Sequence, residues 1–409
     1  MSEPGQPTRP RRVLVHVGAP KTGTSYVQDV LYLNREALAK QGILYPAERF
    51  DEHFLAALDL MDLHWGGLEA QAVGAWDRLA ERIRAWPGTA IVSHEILATA
   101  SRQQVRRALD SFGDAEVHVV ISARDLVRQI PAEWQENVKH RRTIGYGEFL
   151  DRVIDPARTG ELASWFWGVQ EVPDILDRWG GTLPPDRVHV VTVPKPDAPR
   201  DLLWQRFTEV LDLGGVDLEL ETDRTNPSLG VPETVLVQRI NQRVNGGVLA
   251  GEDYRQFVRE LLAHRTLSHR SESPRLGVPD AVRTWAVDLS ESWIDELQAR
   301  KYDVVGSLDE LRPDPATGPF VDPDDPDEHA VADAATESIV TLLEEAARLQ
   351  AIEHRLHGEV AAARDELERS RGRWFRAKQR LVGAAEDNRL AATGLAAYRR
   401  LRGSSSRSA

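Results

Sequence analysis

A short apolar run at residues 13–17 passes directly into GAPKTGTS, residues 18–25, and helical spacing begins at once behind it. A buried strand that turns through two glycines into a helix leaves few architectures open. Such a turn aims backbone N–H groups and the positive end of the helix dipole at one point, which makes it an anion site. The stretch is close to the phosphate-loop pattern G-x-x-x-x-G-K-[ST] but departs from it at one position. Gly18 and Gly23 have the right separation and Ser25 stands where a hydroxyl is expected, yet Thr24 follows the second glycine and the lysine has moved back to Lys21. A lysine inside the turn meets a held anion from a different side. With the hydroxyls of Thr24 and Ser25 and the backbone donors, it makes an arrangement that needs no metal.

The rest of the chain extends this unit. Residues 90–93, 117–122 and 188–193 are short, β-branched and apolar, and residues 43–46 form a brief extended exit. Helical patterns occupy 24–40, 68–85, 101–111, 125–140 and 200–212. Strands alternating with helices predict an α/β fold: a phosphate-loop-like three-layer sandwich with a central parallel sheet flanked by helices. Ligands bind such sheets outside the carboxyl ends of the strands. That rule brings residues 18–25, His94-Glu95 and Arg124-Asp125 to one edge.

Composition narrows the classes further. The chain has 409 residues, 41% hydrophobic and 28% charged, and a formal net charge of -13, which argues against wholesale binding to nucleic acid or an anionic membrane. It contains no cysteine, which removes disulfides and thiol chemistry and fits a reducing cytoplasm. The N-terminus is polar without an apolar h-region, and no run of 18 apolar residues occurs, so neither a signal peptide nor a transmembrane span is expected. The expected location is cytoplasmic.

Domain boundaries follow composition. Residues 1–10 and 403–409 read as disordered, 11–312 as the α/β domain, 313–333 as an acidic, proline- and aspartate-rich linker, and 334–402 as a helical extension. In the extension, Ile339, Leu342, Ala346, Leu349, Leu356, Val360, Ala363 and Leu367 follow 3,4 spacing with one break at Glu353. This is a heptad seam, open to two readings: a helix packed back on its own domain, or a coiled coil that joins two copies. Beyond Glu368, Arg369, Arg371, Arg373, Arg376, Lys378 and Arg380 surround Trp374, a composition that reads as a solvated basic face or a weak anionic contact.

The segment PKTGTS after a strand, followed by a helix starting YVQ, resembles the 5′-phosphosulfate loop of sulfotransferases, enzymes that use 3′-phosphoadenosine 5′-phosphosulfate (PAPS). The family loop is commonly P-K-[ST]-G-[TS]-[TS], and Pro20, Lys21, Thr22, Gly23, Thr24 and Ser25 match every position. The resemblance implies that Lys21 stabilises charge on the leaving bridging oxygen while Thr22 to Ser25 cradle the 5′-phosphate. Sulfuryl transfer develops negative charge at that oxygen, and a preorganised cation is what it needs. The resemblance also implies that an arginine after a later strand and a serine eight residues on bind the 3′-phosphate. Arg124 stands in the first position, but Ala132 occupies the second. Arg128, one turn beyond, reads either as a helper or as a solvated residue.

The acceptor hydroxyl must lose its proton, so a base is needed, and sulfotransferases take histidine or glutamate from the strand that here ends in SHEIL. Glu95 is favoured and His94 kept beside it, each with a structural alternative as a helix-capping histidine or an ion-paired glutamate. The segment TNPSLGVPETVLVQRIN, 225–241, resembles one found in bacterial members, with Asn226 near the nucleotide and Ser228 as a helix cap. The stretch 50–76, with His53, His64, Trp65 and Trp76, is expected to wall the cleft for a carbohydrate, lipid or small-metabolite hydroxyl. The two histidines make no credible zinc set, and no metal is expected. Two other classes stay open: a small-molecule kinase with a degenerate loop, and a non-catalytic nucleotide-binding member whose C-terminal helix does the work.

Overall fold

The computed structural model describes residues 11–221, 228–270, 272–315, 318–386 and 393–394. The expected disordered ends, 1–10 and 403–409, lie outside the described residues. The chain divides into two units, residues 1–338 and 339–409.

The first unit is built on six parallel strands: β1 (Arg12–His16), β2 (Ile43–Leu44), β3 (Thr89–Ser93), β4 (Glu116–Ala123), β5 (Val188–Thr192) and β6 (Asp303–Val305). They lie in the order β2-β3-β1-β4-β5-β6. The chain leaves β1 toward one edge for β2 and β3 and crosses back for β4. The strand order therefore reverses around β1, and a crevice opens at the carboxyl end of that strand. Both faces are covered, as parallel strands require. Alternation along each strand assigns the faces: Val13, Val15, Ala90, Val92, Val119 and Ile121 belong to the larger core, and Leu14, Ile91, Val120 and Val191 to the smaller one. The smaller layer is closed by Val27, Val30 and Leu31 of the Thr24–Leu33 helix and by Trp204 and Phe207 of the Leu202–Val210 helix. The three-layer α/β sandwich read from the sequence is the observed fold.

Several elements differ from the expectation. The helix expected over 24–40 is broken at Asn34, whose side-chain amide donates to the Val30 carbonyl at 2.8 Å and to the Glu219 carbonyl at 2.8 Å. That pattern of local competition ends one helix and starts another at Arg35–Lys40. The helix expected over 68–85 is likewise split, because Gly74 adopts φ 70 before the Ala75–Ala85 helix. Strand β6 was not expected. It is three residues long and carries its apolar pair between an aspartate and a glycine.

The expected linker, 313–333, is a second correction. Both carboxylate oxygens of Asp324 accept backbone N–H groups at the start of the Tyr146–Ile154 helix, from Tyr146 at 2.9 Å and Gly147 at 2.7 Å. The long helix begins at Glu328, inside the expected linker, and buries Val331, Ala334 and Ser338 in the first unit. Arg239 grips Glu328 with two hydrogen bonds at 2.7 and 2.6 Å, and Arg270 reaches Glu337 at 2.6 Å. The acidic residues that suggested a solvated spacer thus act as helix caps and ion-pair partners. In the second unit, described by itself, the helix runs on to Glu386, and no helix among the described residues is long and apolar enough to cross a membrane.

Candidate active site

His16, the last residue of β1, holds the floor of the site. Its Nδ1 lies 2.8 Å from the Ser93 hydroxyl on β3 and its Nε2 3.3 Å from the Ser122 hydroxyl on β4. Burial pushes the ring pKa down to about 4, so a neutral imidazole ties three strands together beneath the loop. Ser122 donates its hydroxyl to the Gly18 carbonyl at 2.9 Å, and its N–H goes to the same carbonyl at 2.6 Å.

On this floor the chain turns through residues 18–25. Gly23 precedes the Thr24–Leu33 helix with φ 90, a left-handed conformation, and a Cβ there would meet Leu203 Cδ2 at 2.6 Å. No side chain caps the helix start and no acidic residue occupies its first turn. Its N–H groups and dipole are therefore left for a ligand. Lys21 itself has φ 62, a conformation that costs energy for a non-glycine residue and recurs at functional turns.

The residues of the loop divide by direction. Pro20, Lys21, Gly23, Thr24 and Ser25 line a cavity of about 2710 Å³. Thr22 does not. Its hydroxyl donates to the Ala19 carbonyl at 2.5 Å and contacts the Ser122 hydroxyl, so the side chain expected in the phosphate cradle supports the loop from below.

Arg124, just past β4, is partly buried. One Nη donates to the Lys21 carbonyl at 3.2 Å, while Nε is buried without a hydrogen-bond partner. Burial, with Arg128 beside it, brings the guanidinium pKa down to about 10. A guanidinium largely deprived of water at a cavity wall fits an anionic ligand. Arg128 takes no part: it pairs with Asp125 and donates to the Pro194 carbonyl at 3.0 Å. Ala132 lines the cavity with no hydroxyl to offer. Ser228 lines it too, but the helix it was expected to cap begins at Val231 behind Gly230, with Pro232 in its first turn. Asn226 lies outside the described residues.

Past β3, His94 caps the short 3₁₀ turn Glu95–Thr99 by accepting the Ile96 N–H on Nδ1 at 3.3 Å, and its ring stacks on Phe54. Burial pushes the ring pKa down against the pull of Glu95, which favours the neutral form. Because Nδ1 accepts a backbone N–H, the ring proton of that neutral form sits on Nε2, where it is a donor. Glu95 accepts a hydrogen bond from the Gln28 amide at 2.9 Å. Burial opposes its ionisation, but His94, the Gln28 bond and Lys21 outweigh it and hold the carboxyl below its ordinary range.

The residues missed by sequence reasoning come from the Leu126–Lys139 helix. Lys21 Nζ is ion-paired with Glu136, which also accepts from His140 at 3.0 Å. Burial pushes Glu136 up, but Lys21 and His140 more than reverse it and hold the carboxyl well below its usual range. Glu133 is buried, and burial, reinforced by Glu136 and Glu95 against Lys21, pushes its carboxyl up to about 7. Lys139 is buried and brought down to about 8, chiefly by burial. The signal was present in AEWQENVKH: acid-acid-base at three-residue steps lies along one helix face.

The stretch 50–76, expected to wall the cleft, divides between cavity, core and surface. Trp65 lines the cavity and packs on Trp165 at 5.7 Å between ring centroids. His53 also faces it, but its Nδ1 accepts the Ser93 N–H at 3.2 Å and burial brings its pKa to about 3. Trp76 is a core residue, fully buried with Nε1 on the Ser111 hydroxyl at 3.0 Å, and His64 is exposed beside Glu69.

No family model and no curated protein matches the chain. A solved structure of a sulfotransferase from Alicyclobacillus acidocaldarius is similar over 54% of this chain and 87% of that one, with 19% identity and a TM-score of 0.36.

Proposed function

We propose that the protein is a sulfotransferase that moves a sulfuryl group from PAPS to a hydroxyl acceptor. The observation that carries this reading is the position of Lys21. It lies within the turn rather than after it, among Glu95, Glu133 and Glu136, with Arg124 behind it donating to its carbonyl.

The residues present fit PAPS. The uncapped helix start, with Thr24 and Ser25, suits the 5′-phosphate. Arg124, at the cavity wall, suits the 3′-phosphate. When bound, PAPS supplies an activated sulfuryl group on a phosphate leaving group. For its part, Lys21 offers a cation where negative charge develops on the leaving oxygen. Its partner in the structure is Glu136, which positions the ammonium at the cavity wall. Glu95, ionised and held by Gln28, is the group suited to take the acceptor proton. His94, with Nδ1 occupied, is suited to donate a hydrogen bond from Nε2 to the acceptor. The rings of Trp65, Trp165 and Phe54 offer apolar faces of the kind that receive sugars or lipids.

Incubation of the purified chain with ³⁵S-labelled PAPS and a panel of sugar, lipid and phenolic hydroxyls tests the reading. Label transferred to an acceptor, and lost in Lys21→Ala, is the expected result. ATP-dependent phosphorylation requiring magnesium supports the kinase instead, and tight 3′,5′-ADP binding with no transfer to any acceptor supports the non-catalytic reading.

A further inference from the structure

The second unit carries a pattern that the proposed reaction does not use. The helix is unbroken from Glu328 to Glu386. From Ile339 its a positions are Ile339, Ala346, Glu353, Val360 and Leu367, and its d positions Leu342, Leu349, Leu356, Ala363 and Ser370. The 3,4 spacing never slips across these residues. The large members of this seam are open to solvent in the single chain: Ile339 is 57% exposed, Leu356 51%, Val360 48% and Leu367 53%. A seam of this length and regularity serves to pack against another helix.

The flanking charges say which helix. Glu359 and Glu366 occupy g positions, and Arg364 and Arg371 are the e positions five residues further on. In a parallel, in-register pair each g residue faces the next e residue of the other strand. Glu359 then meets Arg364 and Glu366 meets Arg371, on both sides of the seam. An antiparallel pair sets g against g and e against e, so that neither Glu359 nor Glu366 meets Arg364 or Arg371. Among the described residues, Arg364, Glu366 and Arg371 make no ion pair within the chain, while Glu359 reaches only Arg355 at 3.9 Å. The next flanking pair, Arg373 and Lys378, is like-charged, and it ends the favourable stretch.

We propose that residues 339–370 form a parallel, in-register two-stranded coiled coil with a second copy of this chain. The occupant of the seam is the chain itself because its own g and e charges complement each other in a parallel pair, Glu359 with Arg364 and Glu366 with Arg371 on both sides. Glu353, alone among the a positions in carrying a charge, faces its own copy across the axis. The two carboxylates repel there, so Glu353 weakens the pair. The absence of cysteine from the natural sequence makes the register directly testable.

The full chain is examined by sedimentation equilibrium across a concentration series. The expected mass is twice 45.8 kDa, falling to the monomer in the double variant Leu356→Lys/Val360→Lys, with 3′,5′-ADP affinity of the first unit unchanged as a check on folding. In Glu353→Cys, mild oxidation is expected to give a covalent dimer in non-reducing electrophoresis. Glu353→Leu is expected to shift the monomer–dimer midpoint to lower concentration. A wild-type chain that stays monomeric throughout, or a dimer that survives the double variant, overturns the proposal. A dimer in which Glu353→Cys fails to cross-link overturns the parallel register.

Discussion

The two ends of the same strands carry similar side chains put to different ends. At the amino-terminal end of β4 and β5, His118 and His189 stack with ring nitrogens 2.8 Å apart. Asp303 closes one side at 2.7 Å and Glu116 the other at 3.0 Å. At the carboxyl-terminal end stand Glu95, His94, Lys21, Glu133, Glu136 and Arg124. The first group is a closed chain in which each imidazole nitrogen meets a partner, and none of its members lines the cavity. The second surrounds a cavity and leaves Arg124 Nε unpaired. Carboxylates and bases in contact therefore do not by themselves mark a site. What marks it is an uncapped helix start and open space at the strand ends where the topology reverses.

The largest effect that would break this contrast lies at Lys21. Lys21→Ala is expected to lower turnover with PAPS by about 10²–10³-fold, the magnitude typical of removing one preorganised charge-stabilising donor. Steady-state kinetics on a responsive acceptor checks this. An effect on KM alone would show that the lysine binds but does not stabilise the transition state.

His16 sharpens the contrast through pH. Its folded pKa, about 4, lies below the ordinary value of 6.5, so the unfolded chain binds the proton more readily. Stability conferred by the neutral ring is thus complete above about pH 6.5 and is lost as pH falls toward 4, on the order of 3 kcal/mol for this group. Urea unfolding at pH 7 and pH 4.5 should show the loss. His16→Gln is expected to lower stability at pH 7 and flatten the slope.

A smaller effect is expected at Arg124. Arg124→Ala should weaken 3′,5′-ADP by about 1.5–3 kcal/mol, roughly ten- to a hundredfold, while ADP affinity changes little. Competition binding with the two nucleotides reads the difference. The smallest prediction concerns the closed end. His189→Phe is expected to cost about 1–3 kcal/mol of stability by stranding its hydrogen-bond partners, with nucleotide affinity unchanged. A change in affinity there would erase the distinction between the two ends.

Much of this was legible in the chain. The strand–glycine–helix unit, the alternation of short β-branched runs with helical patterns, and the convergence of 18–25, 94–95 and 124–125 all followed from periodicity and the carboxyl-end rule. What escaped depended on direction. Thr22 fits the loop motif as well as Thr24 does, but only the turn's geometry sends its hydroxyl down to Ser122. Glu133 and Glu136 lay in plain view on an amphipathic helix, yet which face met the loop depends on how the helix packs. The acidic segment around Asp324 has the composition of a spacer, and its use as a cap for the Tyr146–Ile154 helix involves residues 178 positions apart. Trp76 and Trp65 are the same residue type eleven positions apart, and only burial distinguishes a core ring from a cavity wall.

The central claim is that this loop holds a nucleotide with a 3′-phosphate and not a triphosphate. Isothermal titration calorimetry with 3′,5′-ADP and with ADP, each with and without magnesium, tests it most directly. Binding of 3′,5′-ADP at least about tenfold tighter than ADP, indifferent to magnesium, is the predicted result. Equal affinities, or a magnesium-dependent preference for ADP, would contradict it.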